Sequence, residues 1–219
     1  MKAVLFDLDG TLTDTLTDIS DAMNRALARN GLPQWDRDAY RYLVGNGARI
    51  LARRAVRDRQ DLMEAVLADY QAWYEVHNLD ATRPYPGIPE LLAALTARGI
   101  PCCVLSNKPD ADTRRVVRHF FPDIPFAVIR GQLPGVPVKP DPAGALAIAE
   151  ALGIAPGDFL YLGDTAVDMT CARAAGMVPA GALWGFRDEK ELRESGARFL
   201  FASPAAMLKE LFPPDASHV

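Results

Sequence analysis

Ala3-Val4-Leu5-Phe6-Asp7-Leu8-Asp9-Gly10-Thr11 is the stretch that decides the fold. Its four leading apolar residues read as a strand buried on both faces, and such strands belong to parallel sheets covered by helices on either side. Two carboxylates follow at the carboxyl end of that strand, the edge at which open parallel sheets bind their ligands. In extended backbone, residues two apart point the same way. Asp7 and Asp9 therefore crowd each other, and close carboxylates repel unless a cation relieves them. Gly10 allows the chain to turn sharply away from the strand end.

Moving outward, short apolar runs recur at residues 101–105, 126–129, 159–162, 180–183 and 199–201, with helical patterns between them. Strands alternating with helices imply crossover units and a parallel sheet. Ile88, Leu91, Leu92 and Leu95 mark one face of such a helix, closed by Gly99, and Asp141-Pro142 reads as the cap and first turn of another. The class these elements predict is α/β: a doubly wound, Rossmann-like parallel sheet core.

Residues 15–82 interrupt this rhythm with successive helices and no convincing strand. Leu16, Ile19, Met23 and Leu27 form the apolar face of a first helix ending before Gly31, and Leu62, Val66, Tyr70 and Trp73 that of a later one. The expectation is an α-helical cap domain over residues 15–82, inserted into a core made of residues 1–14 and 83–219. Helices packed merely against one side of the sheet are the plainer alternative. The tail from Pro213 to Val219 is expected to fray.

With 219 residues, 49% of them apolar, the chain can bury a sizeable core. A net charge of −4 argues against an extended surface for nucleic acid or anionic lipid. Asp7 and Asp9 cut short the N-terminal apolar run, which excludes a signal-peptide core there, and no stretch is long enough to span a bilayer. A cytoplasmic monomer or homodimer is expected. Cys102, Cys103 and Cys171 have no metal-ligand spacing and read as core residues; His77, His119 and His218 form no cluster.

Four polar places lie beside predicted strand ends or helix starts: Asp7 to Thr11, Ser106-Asn107-Lys108, Lys139-Pro140-Asp141-Pro142, and Gly163-Asp164 with Asp168. Asp7, Asp9, Asp164 and Asp168 converging on one sheet edge would be costly without a metal, and an all-oxygen ligand set favours Mg²⁺. Lys139 and the Ser106 hydroxyl supply a positive charge and a hydrogen bond for a phosphoryl group, with backbone amides of the Gly10 turn and after Ser106 completing a cradle. Each residue alone has a structural explanation as a turn, cap or strand-end residue; the conjunction is what points to chemistry.

These residues resemble the motifs of the haloacid dehalogenase-like superfamily, and within it the phosphoglycolate phosphatase-like group with a helical cap after the first strand. Asp7-Leu8-Asp9-Gly10-Thr11-Leu12 is similar to its first motif, Ser106-Asn107 to the second, Lys139-Pro140-Asp141-Pro142 to the third, and Gly163-Asp164 with Asp168 to the fourth. The resemblance implies a Mg²⁺-dependent phosphatase acting on small phosphate monoesters. It implies Asp7 as nucleophile and Asp9 as general acid and base. It places Mg²⁺ on the carboxylates of Asp7 and Asp164 and the backbone carbonyl of Asp9, with Asp168 in support. Ser106 and Lys139 would bind the phosphoryl group, with Asp9, Gly10 and Asn107 also among the substrate-binding residues. Asp9 speaks against the dehalogenases of the superfamily, and the absence of lysine from residues 15–82 against the phosphonate-cleaving relatives, which use a cap lysine. Gln132 departs from the acidic residue usual in this group.

Substrate choice should fall to the cap. Asn46-Gly47 and Arg49 are the expected contacts, with Arg49 suited to a substrate carboxylate, although Arg49, Arg53 and Arg57 at four-residue spacing also describe a solvated helix face. Two alternatives to the phosphatase stand: a phosphomutase of the β-phosphoglucomutase kind, and a non-enzymatic binding protein on the same fold.

Overall fold

The computed structural model describes residues 1–213. The expected fraying falls, beyond Pro213, outside the described residues. The strands are β1 (Ala3–Phe6), β2 (Thr13–Asp14), β3 (Arg83–Pro84), β4 (Cys102–Pro109), β5 (Val128–Gln132), β6 (Phe159–Gly163), β7 (Val178–Ala182) and β8 (Phe199–Phe201). The helices are α1 (Leu16–Arg29), α2 (Tyr40–Leu43), α3 (Ala48–Ala55), α4 (Met63–His77), α5 (Ile88–Ala97), α6 (Asp110–Phe120), α7 (Ala143–Leu152), α8 (Ala166–Ala174), α9 (Glu189–Glu194) and α10 (Pro204–Leu211).

Six strands form one parallel sheet in the order β5-β4-β1-β6-β7-β8. The chain moves outward from β1 through β4 to β5, then crosses back and moves the other way through β6, β7 and β8. That is the doubly wound order, and its switch point opens a crevice at the carboxyl ends of β1 and β6. All four residues of β1 are buried, and they alternate between two cores as strand geometry requires. Val4 and Phe6 pack with Ile88, Leu91 and Leu95 of α5; Ala3 and Leu5 pack with Ala145 and Ile148 of α7. The central strand is therefore covered on both faces.

Three strand limits differ from the sequence reading. The strand expected to stop at residue 105 continues as β4 to Pro109, with a register irregularity after Leu105. Its last turn of sequence is polar but buried, so a reading based on apolar runs ends it too soon. β5 begins at Val128, and β7 spans Val178–Ala182. The cap of α7 also moves by one residue: Pro142 occupies the N-cap, and Asp141 Oδ1 accepts from the Ala143 amide at 2.8 Å.

Between β2 and β3 the chain is helical and has its own apolar cluster, containing Leu16, Ile19, Met23 and Leu27 of α1. The inward face of α4 consists of Val66, Leu67, Tyr70 and Tyr74. Leu62 lies instead in the preceding 3₁₀ turn. Trp73 is only partly buried; it stacks on His77 at 3.7 Å, with the Arg25 guanidinium 3.8 Å from its ring. No helix among the described residues is long and apolar enough to cross a membrane.

The two crossings into and out of the helical segment lie side by side, because β2 pairs antiparallel with β3. Asp18, buried in α1, clamps them. Its carboxylate accepts from the amides of Ala81 and Thr82 at 2.8 Å each and from Thr82 Oγ1 at 2.7 Å. Removing that acceptor leaves buried donors unsatisfied, so Asp18→Ala should lower the free energy of unfolding by about 1–3 kcal/mol in urea titrations.

Candidate active site

The sheet brings Asp7 and Asp164 together because β1 and β6 are neighbours and each residue directly follows its strand. Asp168 joins them from the first turn of α8. There it completes a capping box, its Oδ2 accepting from the Thr165 amide at 3.1 Å and the Thr165 hydroxyl at 2.7 Å. Asp7, Asp164 and Asp168 are all buried and offer oxygens within 4.8 Å of one another. Lys139 enters this cluster with its ammonium 2.8 Å from Asp7 Oδ1 and 2.7 Å from Asp168 Oδ1.

Burial raises the pKa of Asp7 well above the usual carboxylate range, and the nearby charge of Asp168 adds to that; Lys139 offsets it only in part. Burial, with Asp168 again second, lifts Asp164 to about 7. For Lys139, burial works against the charged form, but the Asp168 and Asp7 carboxylates outweigh it and hold the ammonium firmly protonated. Three carboxylates face one ammonium, leaving an excess of two negative charges when all are ionised. A hard divalent cation matches both that excess and the all-oxygen donor set.

Asp164 is otherwise fixed by the chain around it. Its Oδ1 accepts from Thr11 Oγ1 at 2.9 Å and its Oδ2 from the Phe186 amide at 2.8 Å. Gly10 makes room for it: the residue has a φ of +89°, and a Cβ there would lie 2.3 Å from Asp164 Oδ2. The Gly10 amide, expected in a phosphate cradle, donates instead to the Thr13 carbonyl at 2.8 Å. The contribution of Gly10 is thus steric.

Asp7 and Asp9 line one cavity of about 400 Å³, together with Ser106, Asn107, Lys108 and Lys139. The helical segment closes its other side through Val44, Gly45, Gly47, Leu51, Tyr70 and Tyr74. Asn107, expected to touch substrate, spends its amide on the protein. Its Oδ1 accepts from the Lys139 amide at 2.9 Å, and its Nδ2 donates to the carbonyls of Lys139 at 2.9 Å and Gly45 at 3.1 Å. It thereby aligns the Lys139 backbone and docks the loop before α3. Arg49, expected to face substrate, is exposed, pairs with Glu64, and does not line the cavity. Asn46 accepts from Arg54 at 2.9 Å, while Gly47 does line the cavity.

The Asp9 carboxylate stands apart from the three-carboxylate cluster and is paired with Lys108. Lys108 is buried and also donates to Tyr74 Oη of α4 at 2.8 Å. The sequence alone assigns Lys108 no role and places Trp73, not Tyr74, on the inward face of this helix. β4 is irregular after Leu105, and Ser106, Asn107 and Lys108 all line the cavity, so strand alternation does not single out Lys108.

The family model for haloacid dehalogenase-like hydrolases matches residues 1–176. The chain belongs to that family. It is 36% identical over 197 residues to the phosphoglycolate phosphatase of Rhodospirillum rubrum, covering 86% of this chain and 82% of that protein. To phosphoglycolate phosphatase 1 of Pseudomonas aeruginosa it is 31% identical over 226 residues, covering 97% and 79%. A crystal structure described as that of "a predicted phosphoglycolate phosphatase" from Haemophilus somnus superposes with a TM-score of 0.88 at 29% identity, covering 96% of this chain and 98% of that one.

The carboxylate cluster carries a pH signature. Asp7 and Asp164 have raised values in the fold, so their contribution favours the folded state fully below the ordinary carboxylate pKa and is lost as pH rises through the folded values. In EDTA, the melting temperature should fall between about pH 5 and about pH 8, and Asp164→Asn should flatten that fall. Thermal melts of the two proteins across that range check it.

Proposed function

We propose that the protein is a Mg²⁺-dependent phosphatase of small phosphate monoesters, phosphoglycolate-like in size and charge, working through an aspartyl-phosphate on Asp7. The observation that carries this reading is the setting of Asp7. Its carboxylate is buried and lines the cavity between the sheet edge and the helical segment, with Oδ1 held by the Leu8 amide at 2.7 Å and by Lys139 at 2.8 Å. Oδ2 receives no protein donor among the described residues and is the oxygen open to phosphorus. The names of the relatives support the substrate class.

In this reading Lys139 has two tasks. It keeps Asp7 from repelling the incoming phosphate, and with the Ser106 hydroxyl it binds the phosphoryl oxygens. Asp9, two residues on and facing the same cavity, gives a proton to the leaving alcohol. It then takes one from the water that cleaves the acyl phosphate, so one hard displacement becomes two easier ones. Asp7 and Asp164, with the backbone carbonyl of Asp9, would hold Mg²⁺, which supplies charge neutralisation at the phosphate. Asp168, tied to Lys139 and Thr165, orients the lysine from beside that site. The helical segment acts as a cap, excluding bulk water from the cavity it completes.

Phosphate release from a panel containing 2-phosphoglycolate, sugar phosphates and an aryl phosphate is the direct assay. Release should require Mg²⁺, vanish in EDTA, and fall by roughly a thousandfold or more in Asp7→Asn. Release unaffected by the substitution would overturn the assignment of the nucleophile, and stimulation by a sugar bisphosphate would favour the phosphomutase.

A further inference from the structure

Lys139 and Lys108 are the two cationic side chains lining the cavity among the described residues, and they are differently employed. Lys139 is enclosed by Asp7 and Asp168 at the end where the phosphoryl group is bound. Lys108 sits on Asp9, at the end where the leaving alcohol must lie if Asp9 protonates it. An ammonium has three donors. Two of those on Lys108 reach Asp9 Oδ1 and Tyr74 Oη, which leaves one for a ligand in the cavity it lines.

We propose that Lys108 recognises a carboxylate on the leaving-group side of the substrate, and so selects phosphate esters of short hydroxy acids. The inference rests on the phosphatase reading and adds the residue that sets its specificity. Asp7 and Asp9 are two residues apart, so their backbones lie at most roughly 7 Å apart, and both line the same cavity as the two lysines. The lysines paired to them therefore mark two anion sites close enough for a phosphate and a carboxylate on the same small molecule. The rest of the wall supports a short acid over a long one. Glu75 and Asp112 also line the cavity, so a longer ligand carrying a further anionic group meets carboxylates there instead of another cation. Arg49, the cation expected for this task, is turned outward on Glu64. Tyr74 fixes the lysine from the helical segment, so the anion site is complete only when α4 is docked on the core.

The test compares 2-phosphoglycolate with ethyl phosphate, which has the same reach and no carboxylate, in wild type, Lys108→Met and Tyr74→Phe, with Mg²⁺ present. Loss of a charge-assisted hydrogen bond should cut the ratio of kcat/KM for 2-phosphoglycolate over ethyl phosphate by about tenfold or more in Lys108→Met, mostly through KM. A smaller fall in the same direction is expected in Tyr74→Phe. Equal losses on both esters would show that Lys108 serves only to hold Asp9, and would overturn the proposal. If wild type turns over neither ester, the phosphatase reading fails separately. Calorimetric binding of the same two compounds then decides the anion site: selective weakening of 2-phosphoglycolate in Lys108→Met supports it, and equal affinity in both proteins contradicts it. Should Lys108→Met not fold, the Tyr74→Phe ratio carries the decision, an unchanged ratio counting against the proposal.

Discussion

One buried ammonium among three buried carboxylates is the constraint around which the molecule is arranged. Burying several like charges is costly unless each is paired or neutralised, and the fold answers that cost residue by residue. β1 and β6 must be neighbours for Asp7 and Asp164 to meet. α8 must start where it does for Asp168 to serve both as cap and as partner of Lys139. Asn107 must bind both polar groups of the Lys139 backbone to keep that lysine in register. Gly185 must lack a side chain, since a Cβ there would lie 2.3 Å from the Asp164 Cβ and 2.5 Å from the Gly10 carbonyl oxygen. What these devices leave over is an excess of negative charge suited to a divalent cation, at the sheet edge where a phosphate would arrive.

The helical segment is joined to this arrangement by polar contacts close to the cavity as well as by its own apolar cluster. Gly45 accepts from Asn107, Tyr74 accepts from Lys108, and the Val44 carbonyl accepts from Arg187 at 3.0 Å. Arg41 reaches back to the Gly185 carbonyl at 3.1 Å. Each contact has one partner within or beside the residues that line the carboxylate cluster. Docking of the segment and alignment of the site are therefore coupled through shared hydrogen bonds, while Asp18 keeps the entering and leaving chains together behind them. A cavity assembled in this way gains low dielectric and fixed dipoles in a single event.

Much of this was legible from the order of residue types. The apolar runs marked all six strands of the main sheet, because strands buried on both faces leave a continuous hydrophobic signal. The first and last motifs marked the carboxylates, because a strand end is where they have to be. The misses lie where a polar or aromatic residue is placed by contacts that the order of residue types does not carry. A reading by apolar runs ends β4 at Leu105, although Ser106, Asn107 and Lys108 remain buried in the strand, because buried polar residues look like loop. Helical periodicity alone does not distinguish Tyr74 from the adjacent Trp73. Chemistry alone suggests a substrate contact for Arg49, and its actual partner Glu64, fifteen residues away, has no sequence signature. The Gly10 amide looks free for a ligand in the sequence, but the turn itself consumes it.

The account stands or falls on a covalent bond at Asp7. Mixing the Mg²⁺-loaded enzyme with 2-phosphoglycolate, quenching in acid within the first turnovers and mapping the peptides by mass spectrometry tests it most directly. The expected result is one phosphoryl group on the peptide bearing Asp7, labile to hydroxylamine as an acyl phosphate is, and absent from Asp7→Asn. Phosphate release with no trapped adduct under those conditions, or an adduct on Ser106 instead, would contradict the account.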